Sequence, residues 1–396
     1  MFALTIKYQY NQLMKFGVIG SIAKPTHSEA MGGIEVWTAL FLLESIKRGH
    51  VFDLFALKGS IEVTNQIRLI EVLKKGLDVI KNNPFFKSKS KLSGEHNGML
   101  LMDVSFSRMM VLLKEKQQDY DIVINNSASP LFTVNWDLYQ KPLLNIGHFS
   151  AAEPYVSYFD YFPLPPHCFF VFPSRREYEL AARVPDQQKF HIPHGIDISK
   201  IPFEAGTGKN MLWVGRLDPV ARKGAPEAIA ISNKMEIPIN VYTYIEDTHY
   251  FDTAVKPLFT AYTHFQTNIP RTEYFKDAKL FLFPLQWEEP FGFTIVEAMA
   301  SGTPVVAYAK GAIPEIIKDG ETGFIVNASE DDRRGNWMIT KTGEEGMFEA
   351  VERIYSLPLE RYQAMRRACR EHVERSFTVE KMVDGYEKAY SAILER

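Results

Sequence analysis

Cysteine is almost missing from this chain: only Cys168 and Cys369 occur, far apart and with no CxxC partner. That excludes a disulfide scaffold and a thiolate metal site, and a reducing compartment is expected. Excess charge is also missing, with a formal net charge of -3 over 396 residues. Nothing in the balance recruits nucleic acid or anionic lipid to the whole surface, and any polyanion site must be local. No apolar run reaches the length of a membrane span. The opening MFALTIKYQYNQLMKFGVIG lacks the basic, apolar and small-residue succession of a secretory leader, and residues 1–13 read as an extension without assigned function. Phe16-Gly17-Val18-Ile19-Gly20-Ser21 lacks the third glycine of a GxGxxG fingerprint, which argues against a nicotinamide site. No Asp-x-Asp lies on a loop after a strand with the glycines and buried run that a metal-bridged diphosphate would want. Solenoid repeats and low-complexity tracts are absent too.

What is present suits a globular protein of two domains: 46% hydrophobic, 13% aromatic and 23% charged residues. Buried-strand runs alternate with helical patterns. Residues 15–57 read as strand, helix, strand, the helix closing at Lys47-Arg48-Gly49. Further apolar runs follow at 120–124, 142–146, 168–172, 211–214, 239–242, 280–283 and 304–307, which predicts parallel sheets with helical crossovers. His194 to Asn210, with Gly195, Pro202, Gly206 and Gly208, reads as a linker. The expected division is 1–198 and 199–378, with a last helix from about Val379, capped by Thr378, packing residues 379–396 back on the first domain.

The densest chemical signal is Glu289-Pro290-Phe291-Gly292-Phe293-Thr294-Ile295-Val296-Glu297 through Ser301-Gly302-Thr303-Pro304. One carboxylate is placed on a loop above a sheet, and the other one turn into a helix that begins near Thr294. A helix start offers N–H groups and a positive dipole end to a phosphate. Thr294-x-x-Glu297 also fits a capping box, and taken alone it reads as a cap. His191, His194 and Asp197 have tempting metal spacing, but Pro193 and Gly195 prevent a helix from aligning them, so the segment reads as a loop. The basic stretch 74–92, with Lys75, Lys81, Lys87, Lys89 and Lys91 around Phe85-Phe86, reads first as a solvated face and more sharply as a contact to lipid headgroups or a lipid-linked acceptor.

The run EEPFGFTIVEAMASGTPVVA resembles the donor motif of family-4 retaining glycosyltransferases of the GT-B fold. The likeness continues through Gly311-Ala312-Ile313-Pro314-Glu315 and Asp319-Gly320-Glu321-Thr322-Gly323, and upstream through His194-Gly195-Ile196-Asp197 and Val214-Gly215-Arg216-Leu217-Asp218. In the N-terminal half it is confined to Gly32-Gly33, the strand before His148 and Pro173-Ser174. The resemblance implies an α/β protein with two Rossmann-like domains whose sheets face a central cleft, the first binding the acceptor and the second the nucleotide-sugar donor. It places Arg216 and Lys223 on the diphosphate, Glu297 on the ribose and Glu289 on the transferring sugar. Backbone groups of Phe291, Gly292, Phe293 and Thr294 would meet sugar and phosphate, Ile269 and Pro270 would lie near the base, Gly32 and Gly33 near the diphosphate, and His148 beside the reacting sugar. The interval from Arg216 to Lys223 is longer than usual, so Arg222 is open to sharing or taking the role of Lys223. The implied donor is UDP-linked first and GDP-linked next, with no metal or other cofactor and a hydroxyl acceptor. The location expected is cytoplasmic, with the peripheral membrane contact as the alternative for 74–92. An epimerase of the same fold or a non-catalytic sugar-nucleotide-binding subunit is the competing reading.

Overall fold

The computed structural model describes residues 13–30, 32–61, 64–76, 94–127, 129–149, 157–203, 206–217, 223–245 and 247–396, with backbone alone at 94–100, 157–158 and 272. The chain divides into two compact units, Met1–Phe172 with Ala181–Ile192 and Val379–Arg396, and Pro173–Leu180 with Pro193–Thr378.

The first unit holds a sheet of β1 (Lys15–Ile19), β2 (Val51–Leu57), β3 (Ile67–Leu73), β4 (Ile122–Asn125), β5 (Leu143–Ile146), β6 (Cys168–Phe172) and β7 (Lys189–His191). Its order is β3-β2-β1-β4-β5-β6-β7. The second sheet runs β10-β9-β8-β11-β12-β13, from β8 (Asn210–Leu217), β9 (Ile239–Ile245), β10 (Thr263–Thr267), β11 (Ala278–Phe283), β12 (Val305–Tyr308) and β13 (Gly323–Val326). Every pairing is parallel. Both orders reverse beside their first strand, at β1/β4 and β8/β11, and in such sheets ligands bind beyond the carboxyl ends at that reversal.

Helices α1 (Gly33–Lys47), α2 (Gly94–Lys116), α3 (Arg175–Leu180), α4 (Ala225–Met235), α5 (Phe293–Ala300), α6 (Gly343–Tyr355), α7 (Leu359–Ser376) and α8 (Val379–Leu394) complete the main elements. In the second unit alternate strand residues feed opposite layers. Leu212, Val214, Phe281 and Phe283 pack with α5 and α7, while Met211, Trp213, Leu280 and Leu282 pack with α4 and α6.

The boundary expected at 198 falls instead after Ile192, and Pro173–Leu180 is counted with the second unit. The cause is hydrogen bonding. The Glu315 carboxylate accepts from Arg175 N at 2.7 Å and Arg176 N at 2.8 Å, the first turn of α3. Ile196 N donates to Phe377 O at 2.9 Å, so the stretch read as a linker is stitched into the second unit. Helix α8 lies against α1, where Arg48 pairs with Asp384 at 2.7 Å and Glu387 at 3.0 Å, and Trp37 meets Tyr386 edge-on at 5.7 Å.

A buried carboxylate interrupts the first sheet at β2. Asp53 in β2 is 1% exposed, and its carboxylate accepts from Arg68 Nε at 2.8 Å and Tyr120 Oη at 2.8 Å. Gly17 lets that ring close over β1, since a Cβ there would stand 2.8 Å from it. Tyr120→Phe is expected to lower stability by about 1 kcal/mol, the usual net worth of one hydrogen bond. Asp53→Ala should cost more, because it strands the buried Tyr120 hydroxyl and also breaks the pair with the half-exposed Arg68. Equal urea midpoints for Tyr120→Phe and the parent would show that the hydroxyl contributes nothing.

Candidate functional site

The loop from Pro284 to Gly292 leaves the carboxyl end of β11 at the sheet reversal. Gly292 takes φ 96°, a left-handed turn that starts α5. Within this loop two consecutive glutamates diverge. Glu289 accepts from Lys223 Nζ at 3.3 Å and Trp287 Nε1 at 3.2 Å and is 8% exposed. Glu288 accepts from Gly311 N at 2.9 Å and makes a two-pronged pair with Arg334, at 2.7 and 2.6 Å. Burial works against its charge, but the Arg334 hydrogen bonds and field outweigh this and hold the carboxyl below its usual range.

Lys223 is delivered by the start of α4. Gly224, at φ 77°, comes so close to Pro284 that a Cβ would stand 2.2 Å from its carbonyl oxygen. Trp213 Nε1 donates to the Lys223 carbonyl at 2.9 Å, and the ammonium lies 5.6 and 5.8 Å from the Phe283 and Trp287 ring centroids. Arg222, with residues 218–221, lies outside the described residues. Arg216 is exposed at the end of β8, in register with Tyr244.

The capping box at Thr294 does not form. The N-cap is Gly292, with no side-chain hydrogen bond, and α5 begins at Phe293. Glu297 lies one turn in and pairs with Arg271. The Ile295 and Val296 N–H groups both return to Gly292 O, so the Phe293 and Thr294 N–H groups have no intrahelical acceptor. His194 stacks on Phe293 at 5.4 Å and meets Phe291 edge-on at 5.2 Å, and Asp197 accepts from Ser199 N at 3.1 Å. Ile269 and Pro270 line a cavity of about 400 Å³ with Asn210, Asn240, Tyr242 and Gln266, and Arg271 follows at once.

In the first unit His148 follows β5. Thr38 Oγ1 donates to Ile34 O at 2.7 Å, Asn126 Nδ2 donates to Thr38 Oγ1, and Asn126 Oδ1 faces His148 Nε2 at 2.5 Å. That polarity puts the ring proton on Nε2. Trp37 of α1 meets the ring edge-on at 5.5 Å. Gly32 is the N-cap of α1, and Gly33 opens the helix. The buried Glu35 carboxylate accepts from Ser21 Oγ at 2.5 Å and folds against Gly32, where a Cβ would stand 1.8 Å from Oε2.

The structure thus joins Lys223 to Glu289, seats Ile269 and Pro270 on one cavity, and gives Glu297 a partner the sequence reading passed over. Arg271 was signalled by its place after Ile269-Pro270, and Glu35 by its place three residues after Gly32, the spacing of a capping pair. Arg334 carried no such signal. Residues 77–92 of the basic stretch lie outside the described residues. Among the described residues no helix is long and apolar enough to cross a membrane.

Residues 258–342 match the family described as glycosyl transferases group 1. An uncharacterized 41.2 kDa protein in the cps region of Klebsiella pneumoniae is 27% identical over 184 residues, 46% of this chain and 46% of that protein, so the chain spans about half the length of this curated relative. Sucrose-phosphate synthase from Thermosynechococcus elongatus is similar at TM-score 0.71 and 17% identity, over 96% of this chain and 98% of its own. Anabaena HepE, in a complex with UDP-glucose, gives TM-score 0.65 and 15% identity over 96% and 100%. The fold is GT-B, with two Rossmann-like domains. Within that class the chain carries a glycosyl transferases group 1 segment, which contains Ile269, Arg271, Glu289, Glu297 and Arg334.

Burial holds the His148 imidazole far below its ordinary 6.5, at about 3. Between those values the unfolded chain takes up a proton that the native ring refuses, so stability falls as pH falls and is insensitive to this ring above the window. His148→Gln should therefore lose less melting temperature than the parent when pH drops from about 7 to about 5. Parallel losses in the two proteins would show that the ring does not titrate this way.

Proposed function

We propose that the protein is a metal-independent, retaining glycosyltransferase that moves a hexosyl group from a nucleotide-diphosphate sugar, UDP-linked before GDP-linked, to a hydroxyl acceptor. The carrying observation is the Lys223–Glu289 pair at 3.3 Å, set where β8 and β11 part and a helix presents open N–H groups, inside and beside the matched segment. Carboxylate, ammonium and helix start converge where a sugar joined to a diphosphate has a polyol end and an anionic end. UDP-glucose bound to the similar HepE supports this donor class.

In this reading the bond between the anomeric carbon and the diphosphate oxygen breaks while the acceptor oxygen bonds to the same face of that carbon. The acceptor proton passes to the departing diphosphate. Lys223 and Arg216 stabilise the charge that grows on the leaving group, aided by the Phe293 and Thr294 N–H groups, so a divalent cation is not required. Glu289, released from Lys223 as the diphosphate engages the ammonium, faces the sugar while it carries positive character. Glu297 accepts from the ribose hydroxyls, and Ile269 and Pro270 flank the base.

The two glutamates should part kinetically. Glu297→Ala removes a contact made equally in ground and transition states and should chiefly raise donor KM. Glu289→Gln should chiefly lower kcat, by roughly 10²-fold, the scale of one lost transition-state group. Steady-state kinetics with thermal melts decide this, and equal, purely thermal losses in both variants would sink the catalytic assignment. UDP, GDP and ADP, then their sugars, should be ranked first by melting-temperature shift, which grows as each passes its dissociation constant. Turnover should persist in EDTA. Activity lost there and restored by manganese would overturn the metal-free clamp.

A further inference from the structure

A charged network lies behind the loop that carries Glu289, and the chemistry above does not use it. Asp332 accepts from Arg334 Nε at 2.7 Å and also pairs with Lys310. Arg176 Nε stands 3.8 Å from Glu288. Arg334 is itself anchored, its backbone N donating to Asn327 Oδ1 at 2.8 Å. That oxygen also accepts from Trp337 Nε1 at 3.1 Å, and Asn327 Nδ2 donates to Gly335 O at 3.0 Å. Asn327 is 1% exposed and directly follows β13, so the guanidinium is referred to the sheet and not to a free loop.

The other end of the network sets Glu289. Ala312 N donates to Glu289 O at 2.8 Å. Gly311, at φ 54°, is pressed so closely on the same residue that a Cβ would lie 2.2 Å from Glu289 O. Lys310, Gly311 and Ala312 therefore form one turn, whose lysine is held by Asp332, whose glycine N–H is held by Glu288, and whose alanine N–H is held by Glu289. We propose that Arg334 is a positioning residue for the donor-sugar site: by its two-pronged pair with Glu288 it holds the Glu289 backbone on the 310–312 turn and so sets where the Glu289 carboxylate meets the sugar. This rests on the function proposed for Glu289.

Arg334 suits the task because a planar guanidinium fixes direction as well as distance, which an ammonium does not. Displacement of a reacting group by about 1 Å can cost on the order of 10²-fold in rate. The assay is nucleotide release from the sugar nucleotide that gives the largest melting-temperature shift among UDP-, GDP- and ADP-sugars. Arg334→Ala and Glu288→Gln should each lower kcat on the order of ten- to hundredfold while the shift produced by the free nucleoside diphosphate persists. The double variant should be no slower than the worse single one, since both cut the same tie. Arg334→Lys keeps the charge and should recover part of kcat, and it serves in place of Arg334→Ala should that variant not fold.

Unchanged kcat in folded Arg334→Lys and Glu288→Gln would overturn the proposal, as would multiplicative losses in the double variant. A fall confined to melting temperature would reduce Arg334 to a structural tie and overturn it equally. Glu289→Gln separates the two claims. If it too leaves kcat unchanged, the function proposed for the site fails, whereas a strong loss there beside unaffected Arg334 and Glu288 variants sinks only the positioning role.

Discussion

A carboxylate in the protein interior is costly unless cations and donors face it, and the second unit is arranged around one, Glu289, at 8% exposure. The ammonium of Lys223 and the indole of Trp287 meet its carboxylate, and Ala312 N meets its backbone carbonyl. Two of these contacts require a local concession. Gly224 adopts a left-handed conformation so that α4 can start against Pro284, and Gly311 does so to let the turn rest on the Glu289 backbone. The glycines allow backbone to approach where side chains would collide. A pair that is close but partly open to water also suits exchange, because an anionic ligand can take the ammonium without leaving either charge stranded.

Two adjacent glutamates show how environment divides labour. Glu288 is consumed by Arg334 and a backbone N–H, whereas Glu289 is held by a flexible lysine and an indole. A rigid bidentate contact resists displacement, and a single lysine contact does not. The same logic extends to Glu297, whose Arg271 partner belongs to the segment that also lines the 400 Å³ cavity. A carboxylate has about four acceptor positions, so Arg271 can orient Glu297 and still leave room for hydroxyl donors.

Periodicity made the parallel sheets legible, because buried strands such as Leu280 to Phe283 are apolar on both faces. It missed the four edge strands: β3 and β10 are mixed, as in Arg68 and Glu71 or His264 and Gln266, and β7 and β13 are short, at 3 and 4 residues. The boundary misplaced at 198 has a different cause: Gly195 and Pro202 carry a linker's composition, but the backbone bond from Ile196 to Phe377 spans most of the second unit and leaves no local trace. At the site, Glu289 was singled out by a long motif, and Lys223 by the family resemblance with Arg222 as its alternative. Arg271 was signalled only by its place after Ile269-Pro270 and Arg334 not at all, because they meet their carboxylates across 26 and 46 residues, and pairing at that range is decided by the fold. The capping box at Thr294 failed for a related reason. Gly292, with its positive φ, had already turned the chain before Thr294 was reached.

The first unit offers chemistry of a different sign. Thr38 spends its proton on the Ile34 carbonyl, which turns the Asn126 amide so that its oxygen faces His148 and fixes the ring proton on Nε2. Burial then keeps the ring uncharged. The orientation has a structural origin: the ring is attached to a relay of hydrogen bonds that runs through Asn126 and Thr38 and ends on the Ile34 carbonyl of α1. A ring held uncharged and in one tautomer is a neutral, oriented dipole, whereas the second unit keeps its Lys223 ammonium beside a carboxylate and two aromatic rings. Burial selects the neutral form in the first case, and a facing carboxylate offsets the charge in the second.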